Sequence, residues 1–419
     1  MMEPRPSSWR WFMIALVFLA TLINYLDRLV LSVAAPVLRE EFSMSNVTYS
    51  RIVFAFMLAY TIMNGVSGPL IDRLGTRLGY ALCMFWWSAS AVVHAFATGP
   101  WSLGLARFSL GMGEAGNWPA GVKVVAEWFP QKERALASGM FNSGSTIGAI
   151  VAIPLVTWII RDFGWPMAFA AVGATGLVWL LVWWPVYYTP HGASESEKDE
   201  KVSTTQLLGK KFVWVFTLSK VFMDPVWYFY IFWFPEYLKS ARGLDLETIG
   251  KYGWIPYVVA GFGNILGGLL SSCLLRQGWS VTAARKSSVT FFAALMAAAI
   301  PAVLVSDVRV SVTLISMAML GYTGSLANML AFPADVFPKG VVGSVYGIAS
   351  MGSGFGGMLF TLLTGWMIDH CSYYPVFFMF GIMPLVCASI LWLWLGPIER
   401  GAVTFGKSKH EEEVYVTSN

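Results

Sequence analysis

The chain has 419 residues, of which 56% are hydrophobic, 16% aromatic and only 12% charged, with a mean hydropathy of +0.61. That is about half the charge of a water-soluble domain, which excludes a soluble protein and points to helices that cross a bilayer. A formal net charge of +4 dispersed over many loops excludes a nucleic-acid binder, and the four cysteines, Cys83, Cys273, Cys371 and Cys387, fall in separate apolar stretches that suggest neither a disulfide framework nor a metal site.

A spanning helix needs about 20 mostly apolar residues. Twelve segments meet that length, near 11–36, 51–70, 78–98, 101–126, 136–160, 165–188, 212–238, 250–275, 286–305, 309–332, 342–368 and 375–396. The first lacks a small-residue cleavage pattern and is expected to remain as a helix rather than leave as a signal peptide. It carries Asn24, Tyr25, Asp27 and Arg28 in an otherwise apolar run. Asn46-Val47-Thr48, in the loop that follows, matches a glycosylation sequon, a pattern too short to decide the source.

Between spans two and three stands Gly68-Pro69-Leu70-Ile71-Asp72-Arg73-Leu74-Gly75-Thr76-Arg77. It reads as a charged turn, with glycines that permit the bend and basic side chains suited to the cytoplasmic headgroup region. His94, in span three, has no acidic neighbour in sequence and reads as packed. In span four Arg107 and Glu114 lie about two turns apart on one helix face. Asp27 lies roughly 24 Å along its span from Trp11 and Arg107 roughly 9 Å along its own from Trp101. In a hydrocarbon core of about 30 Å the two share a depth, so an Asp27–Arg107 ion pair is expected. Glu114 sits nearer the midplane without an obvious partner and reads as a proton carrier. Ionisable residues inside spans are costly and mark function by default.

The polar stretch 189–211 reads as a solvated linker, which divides the chain into bundles at 1–188 and 212–396 and a tail at 397–419. In span seven Lys220 and Asp224 are one turn apart. They either neutralise each other or leave Lys220 as an anion contact, with Pro225 opening a kink that exposes polar backbone. Most basic residues fall on the side of the N-terminus, which places both termini in the cytoplasm. Phe129-Pro130, Gly139, Gly144, Gly148 and Gly173 recur at one constant offset as Phe337-Pro338, Gly347, Gly352, Gly356 and Gly381, which implies duplication. Gly144 with Gly148 and Gly352 with Gly356 are small-xxx-small pairs assigned to helix packing. The second copy of the charged turn, around 268–285, keeps basic residues but has Ser271 or Ser272 where the acid should stand.

The 68–77 segment resembles the loop signature of the major facilitator superfamily, with Gly68, Asp72, Arg73, Gly75 and Arg77 in matching positions. The resemblance implies an all-α membrane protein of twelve helices in two pseudo-symmetric six-helix halves, latched through that loop, with a site near the midplane between them. Asn24 to Arg28, the run Arg107 to Pro119 and Glu127-Trp128-Phe129-Pro130-Gln131-Lys132-Glu133-Arg134 are similar to the anion:cation symporter family. Asp224 to Pro235 with Arg242-Gly243-Leu244-Asp245-Leu246 is similar to its bacterial hexuronate transporters. That resemblance implies inner-membrane uptake of a sugar-acid anion such as galacturonate or glucuronate with a proton, sodium being the alternative ion, and no cofactor. It implies that Asp27 and Glu114 couple protons, that Arg107 partners Asp27, and that Arg28 meets the substrate carboxylate. Tyr25, Tyr60 and Asn142 resemble sugar-hydroxyl ligands. A guanidinium suits a carboxylate, and aromatic faces with hydroxyl tips suit a polyhydroxylated ring.

Other readings are weaker. Neither a His-Glu-x-x-His nor a Gly-x-Ser-x-Gly pattern occurs, which argues against an enzyme. Span five lacks the Gly-Pro pair expected of a drug antiporter. A symporter of galactonate or another carboxylate, and a sensor of the same fold, remain as alternatives. The expected partners are a small organic anion and the bilayer, the chain working as a monomer.

Overall fold

The computed structural model describes residues 9–129, 134–189, 204–337 and 339–398. Most of the expected linker and tail, and the motif residues 130–133 and 338, lie outside the described residues. All regular elements among the described residues are helical, as an apolar solvent requires of a chain whose backbone groups must be satisfied internally. The N-terminal half holds α1 (Trp9–Glu41), α2 (Asn46–Leu74), α3 (Thr76–Val93), α4 (Pro100–Glu114), α5 (Asn117–Trp128), α6 (Arg134–Phe163) and α7 (Trp165–Val186). After the short α8 (Thr204–Leu208), the C-terminal half holds α9 (Lys211–Ser240), α10 (Leu246–Tyr252), α11 (Ile255–Arg276), α12 (Val281–Met296), α13 (Ala299–Ala302), α14 (Val308–Met329), α15 (Phe332–Val336), α16 (Lys339–His370) and α17 (Tyr373–Trp394). Among the described residues, ten of the twelve expected spans are long and apolar enough to cross a membrane on those grounds alone. The other two, α4 with α5 and α9, are the spans that carry Arg107, Glu114, Lys220 and Asp224.

Packing repeats between the halves. A Cβ on Gly144 or Gly148 would stand 2.5 Å from the Phe18 carbonyl oxygen or 2.7 Å from that of Leu22, so α6 lies directly on the α1 backbone. Gly352 and Gly356 put α16 equally close to Thr217 and Val221 of α9. These four glycines are the packing positions that the sequence marks.

Three local readings change. Residues 68–74 are helical, so α2 runs through Gly68 and the bend belongs to Gly75, whose φ of 79° favours glycine. Span four is not continuous: it breaks at Ala115 and Gly116, directly after Glu114. Pro119 has no N–H for the Ala115 carbonyl four residues back, and the Ser67 hydroxyl donates to that oxygen instead at 3.2 Å. Pro225, by contrast, leaves α9 unbroken. The Val221 carbonyl that it frees is covered by Gly356 rather than exposed, a hypothetical Cβ there lying 2.5 Å from the oxygen.

The halves are joined by ion pairs and hydrogen bonds at the face carrying loop 42–45. Arg39 pairs with Glu236, and Lys239 with Glu40 at 3.1 Å. The Asp369 carboxylate of α16 accepts the first two N–H groups of α2, from Asn46 at 3.0 Å and Val47 at 2.8 Å. Those are orphan donors of a helix start, so the C-terminal half caps a helix of the N-terminal half. Asn46 also donates its side-chain amide to Asp369 at 2.7 Å and is buried. Its sequon is therefore inaccessible in this conformation.

Candidate functional site

Midway along α1, Asn24, Asp27 and Arg28 are all buried, held between α2, α4 and the partner half. Arg28 donates through Nε at 3.0 Å and Nη2 at 2.8 Å to a single oxygen, Oε2, of Glu114. Nη2 also reaches Asn24 Oδ1 at 3.5 Å. The guanidinium stands over the rings of Tyr60 (4.8 Å), Phe56 (5.2 Å) and Tyr25 (5.3 Å), a cation–π cage that partly replaces lost hydration.

The expected Asp27–Arg107 pair is not formed. Both Asp27 oxygens and the Nε and Nη1 atoms of Arg107 lack hydrogen-bond partners among the described residues, and Arg107 Nη2 points instead at the Arg28 carbonyl, 3.5 Å away. Equal depth is not equal azimuth: successive helical residues point about 100° apart, and it is Arg28, not Asp27, that turns to Glu114. Glu114, expected to be unpaired, is thus ion-paired, although its Oε1 has no hydrogen-bond partner. Arg107 and Glu114 are the charged groups that act on Asp27, and the Trp87 indole approaches its carboxylate without closing a hydrogen bond.

Across the interface, Lys220 pairs with Asp224 at 2.8 Å, both buried. Tyr322 donates to the other Asp224 oxygen at 3.3 Å, and Lys220 Nζ lies 5.2 Å from the centre of the Tyr346 ring. Trp227 stacks on Tyr322 at 5.1 Å, and Tyr228 shares a hydrogen bond with Ser353 at 3.2 Å. Tyr228 stacks on Phe232 at 6.3 Å, and Phe232 packs edge-on at 6.0 Å against Phe56 of α2, the ring beneath Arg28. The two clusters therefore lie on facing sides of the boundary between the halves, joined through Phe56, Phe232 and Tyr228. Asn142 is half-buried on α6 and its side chain makes no hydrogen bond among the described residues. Trp227, Tyr228, Tyr322, Tyr346 and Ser353 were not singled out from sequence. For Trp227 and Tyr228 the signal was their place in the run Asp224 to Pro235, close to Asp224 and Pro225; Tyr322, Tyr346 and Ser353 carried none, because uncharged residues of these types are common along the chain.

His94 is packed as expected, its Nδ1 2.7 Å from the Ser90 carbonyl oxygen and its ring stacked on Phe169. At the face carrying Gly75, Asp72 pairs with Lys123 at 2.7 Å within its own half. Arg77 donates to the Trp184 carbonyl at 3.0 and 2.5 Å, and Arg73 is exposed. In the second half Arg285 pairs with Asp335 at 3.1 Å and donates to Ser271 at 3.2 Å, so Asp335 supplies an acid for the degenerate turn.

A family model described as Major Facilitator Superfamily matches residues 17–279 and 278–415. The chain is 34% identical to the hexuronate transporter of Escherichia coli (strain K12), over 96% of this chain and 97% of that protein. It is 36% identical to the galacturonate transporter of Dickeya chrysanthemi, over 68% of this chain and 89% of that one. The crystal structure of a D-xylose-proton symporter superposes with a TM-score of 0.78 at 15% identity, covering 93% of this chain and 99% of that one, which is a likeness of fold.

Proposed function

The chain belongs to the Major Facilitator Superfamily, and from that premise we propose that it imports a hexuronate such as galacturonate or glucuronate across the inner membrane by proton symport with alternating access. The relatives named for hexuronate and galacturonate transport support the substrate class. Arg28 is the observation that carries the reading: a buried guanidinium, ringed by aromatic side chains, is held by one oxygen of Glu114. A substrate carboxylate competes with Glu114 for that guanidinium. When Glu114 takes a proton its hold weakens and Arg28 turns to the substrate, so anion and proton bind together and leave together. Tyr25, Tyr60 and Asn142 are the proposed hydroxyl contacts, and Asp27, unpaired beside Glu114, is the proposed second proton site. Arg107 keeps a positive charge beside both acids.

The excess of basic residues puts the Gly75 face in the cytoplasm. The inter-half ion pairs then lie outside and the structure corresponds to an inward-facing state. Uptake of labelled galacturonate into proteoliposomes under an imposed pH gradient tests the reading. Accumulation driven by the gradient, inhibited by glucuronate and untouched by neutral galactose, is expected. Galactose competing as well as the uronate would overturn it, and accumulation that followed a sodium gradient alone would replace the proton as coupling ion.

A further inference from the structure

Two of the buried cations, Arg28 and Lys220, stand on facing sides of the boundary between the halves, and each already has a carboxylate. The two pairs are built differently. Glu114 reaches Arg28 from another helix, with one oxygen engaged and the other lacking a hydrogen-bond partner among the described residues, directly before the break that ends α4. Asp224 lies one turn from Lys220 on the same unbroken helix, so the helical repeat fixes their distance whatever the halves do. Both of its oxygens are engaged, one by Lys220 and one by the Tyr322 hydroxyl. The first pair is poised to exchange partners. The second is closed.

We propose that Asp224 is a specificity-determining residue that restricts the cargo to sugar acids with a single carboxylate. This deepens the sugar-acid reading above and rests on it. With Lys220 neutralised in place, only Arg28 can be vacated for an incoming anion. The Phe56 ring beneath Arg28 packs on Phe232 of α9, which stacks on Tyr228 one turn beyond Asp224, so a ligand anchored on Arg28 extends towards the Asp224 side. A sugar with carboxylates at both ends would bring its second charge to an acid that is already paired, and Arg107, which lies at the Arg28 end, is not on that side to receive it. Leaving a charge buried without a partner is an effective way to reject a competitor.

The test uses the full-length chain in proteoliposomes, with labelled galacturonate displaced by galactarate, which has two carboxylates, or by its monomethyl ester, which has one. In the wild type galactarate should compete about tenfold or more weakly than the monoester. Asp224→Asn should close that gap to about threefold or less by releasing Lys220, and galactarate should raise the melting temperature of this variant, since a ligand that binds only the folded state stabilises it. Asp224→Ser provides the same comparison where the asparagine variant fails to reach the membrane. Equal competition by diacid and monoester in the wild type overturns the proposal. So does a variant that binds galacturonate but keeps the full gap. A wild type that binds no galacturonate removes the sugar-acid reading itself, a result separable from failure of the selectivity alone.

Discussion

Arg28 and Asp27 are chain neighbours with different surroundings, and the difference sets what each substitution should do. Their types and depth were legible because an ion in an apolar run stands out. Their partners were not, because the direction in which a side chain leaves a helix relative to its neighbours depends on how the helices are rotated against one another. Arg28→Lys keeps the charge but loses the planar donor set that engages Glu114 through two nitrogens. A weakening of galacturonate binding by about tenfold or more is expected, read as a rise in the half-displacement concentration. Glu114→Gln removes the titrating group while keeping its shape. Counterflow of substrate should survive and pH-driven accumulation should cease. Full accumulation by the glutamine variant would take the coupling role away from Glu114. Asp27→Asn leaves Arg107 with the contacts it already has, so its cost to folding is expected to be small, unlike the loss that a direct ion pair would have entailed.

At the scale of elements, the repeated glycines separate into two kinds, and the four that the small-xxx-small spacing marks are tight. A Cβ at Gly139 or Gly347 would meet nothing within 4 Å, whereas at Gly144, Gly148, Gly352 and Gly356 it would collide with backbone of the facing helix. The constant offset showed the duplication, and the small-xxx-small spacing pointed to these tight positions. Gly356→Ala should force α16 away from α9 and lower stability by about 1–3 kcal/mol, seen as a lower melting temperature in detergent. Gly347→Ala serves as the matched control and should melt near the wild type or slightly above it, alanine being the better helix former. Equal melting of the two variants would mean that the α9–α16 contact yields without cost. The break after Glu114, by contrast, was hidden: hydropathy counts apolar residues and does not see that Pro119 leaves the Ala115 carbonyl to Ser67.

At the scale of the whole molecule, the placement of ion pairs records which face is shut. Arg39–Glu236, Lys239–Glu40 and the Asp369 cap on α2 all join one half to the other at the face of loop 42–45, while Asp72–Lys123 and Arg285–Asp335 stay within a half. The charged turn was readable as a latch because it is contiguous in sequence. The opposite gate was not, since its partners are brought together from distant parts of the chain and look like ordinary loop charges. In this conformation Asp72 pairs within its own half, and the inter-half ion pairs among the described residues sit at the opposite face. Glu236→Gln removes a part-buried charge-assisted contact between α1 and α9, and Asp369→Asn weakens the cap on α2. A charge-assisted hydrogen bond contributes about 1.5–3 kcal/mol, which corresponds to roughly a ten- to hundredfold shift in a two-state population. Both variants should favour the state open at the loop 42–45 face. Spin labels at Ser43→Cys and Ala241→Cys, on exposed positions at the ends of α1 and α9 and with Cys273 and Cys371 replaced, should report a longer distance in each variant than in the parent, and galacturonate selectivity over galactose should not change. Unchanged distances in both variants would show that the closed face is held by its apolar and backbone contacts, such as Tyr49 donating to the Phe232 carbonyl at 2.7 Å, rather than by its charges.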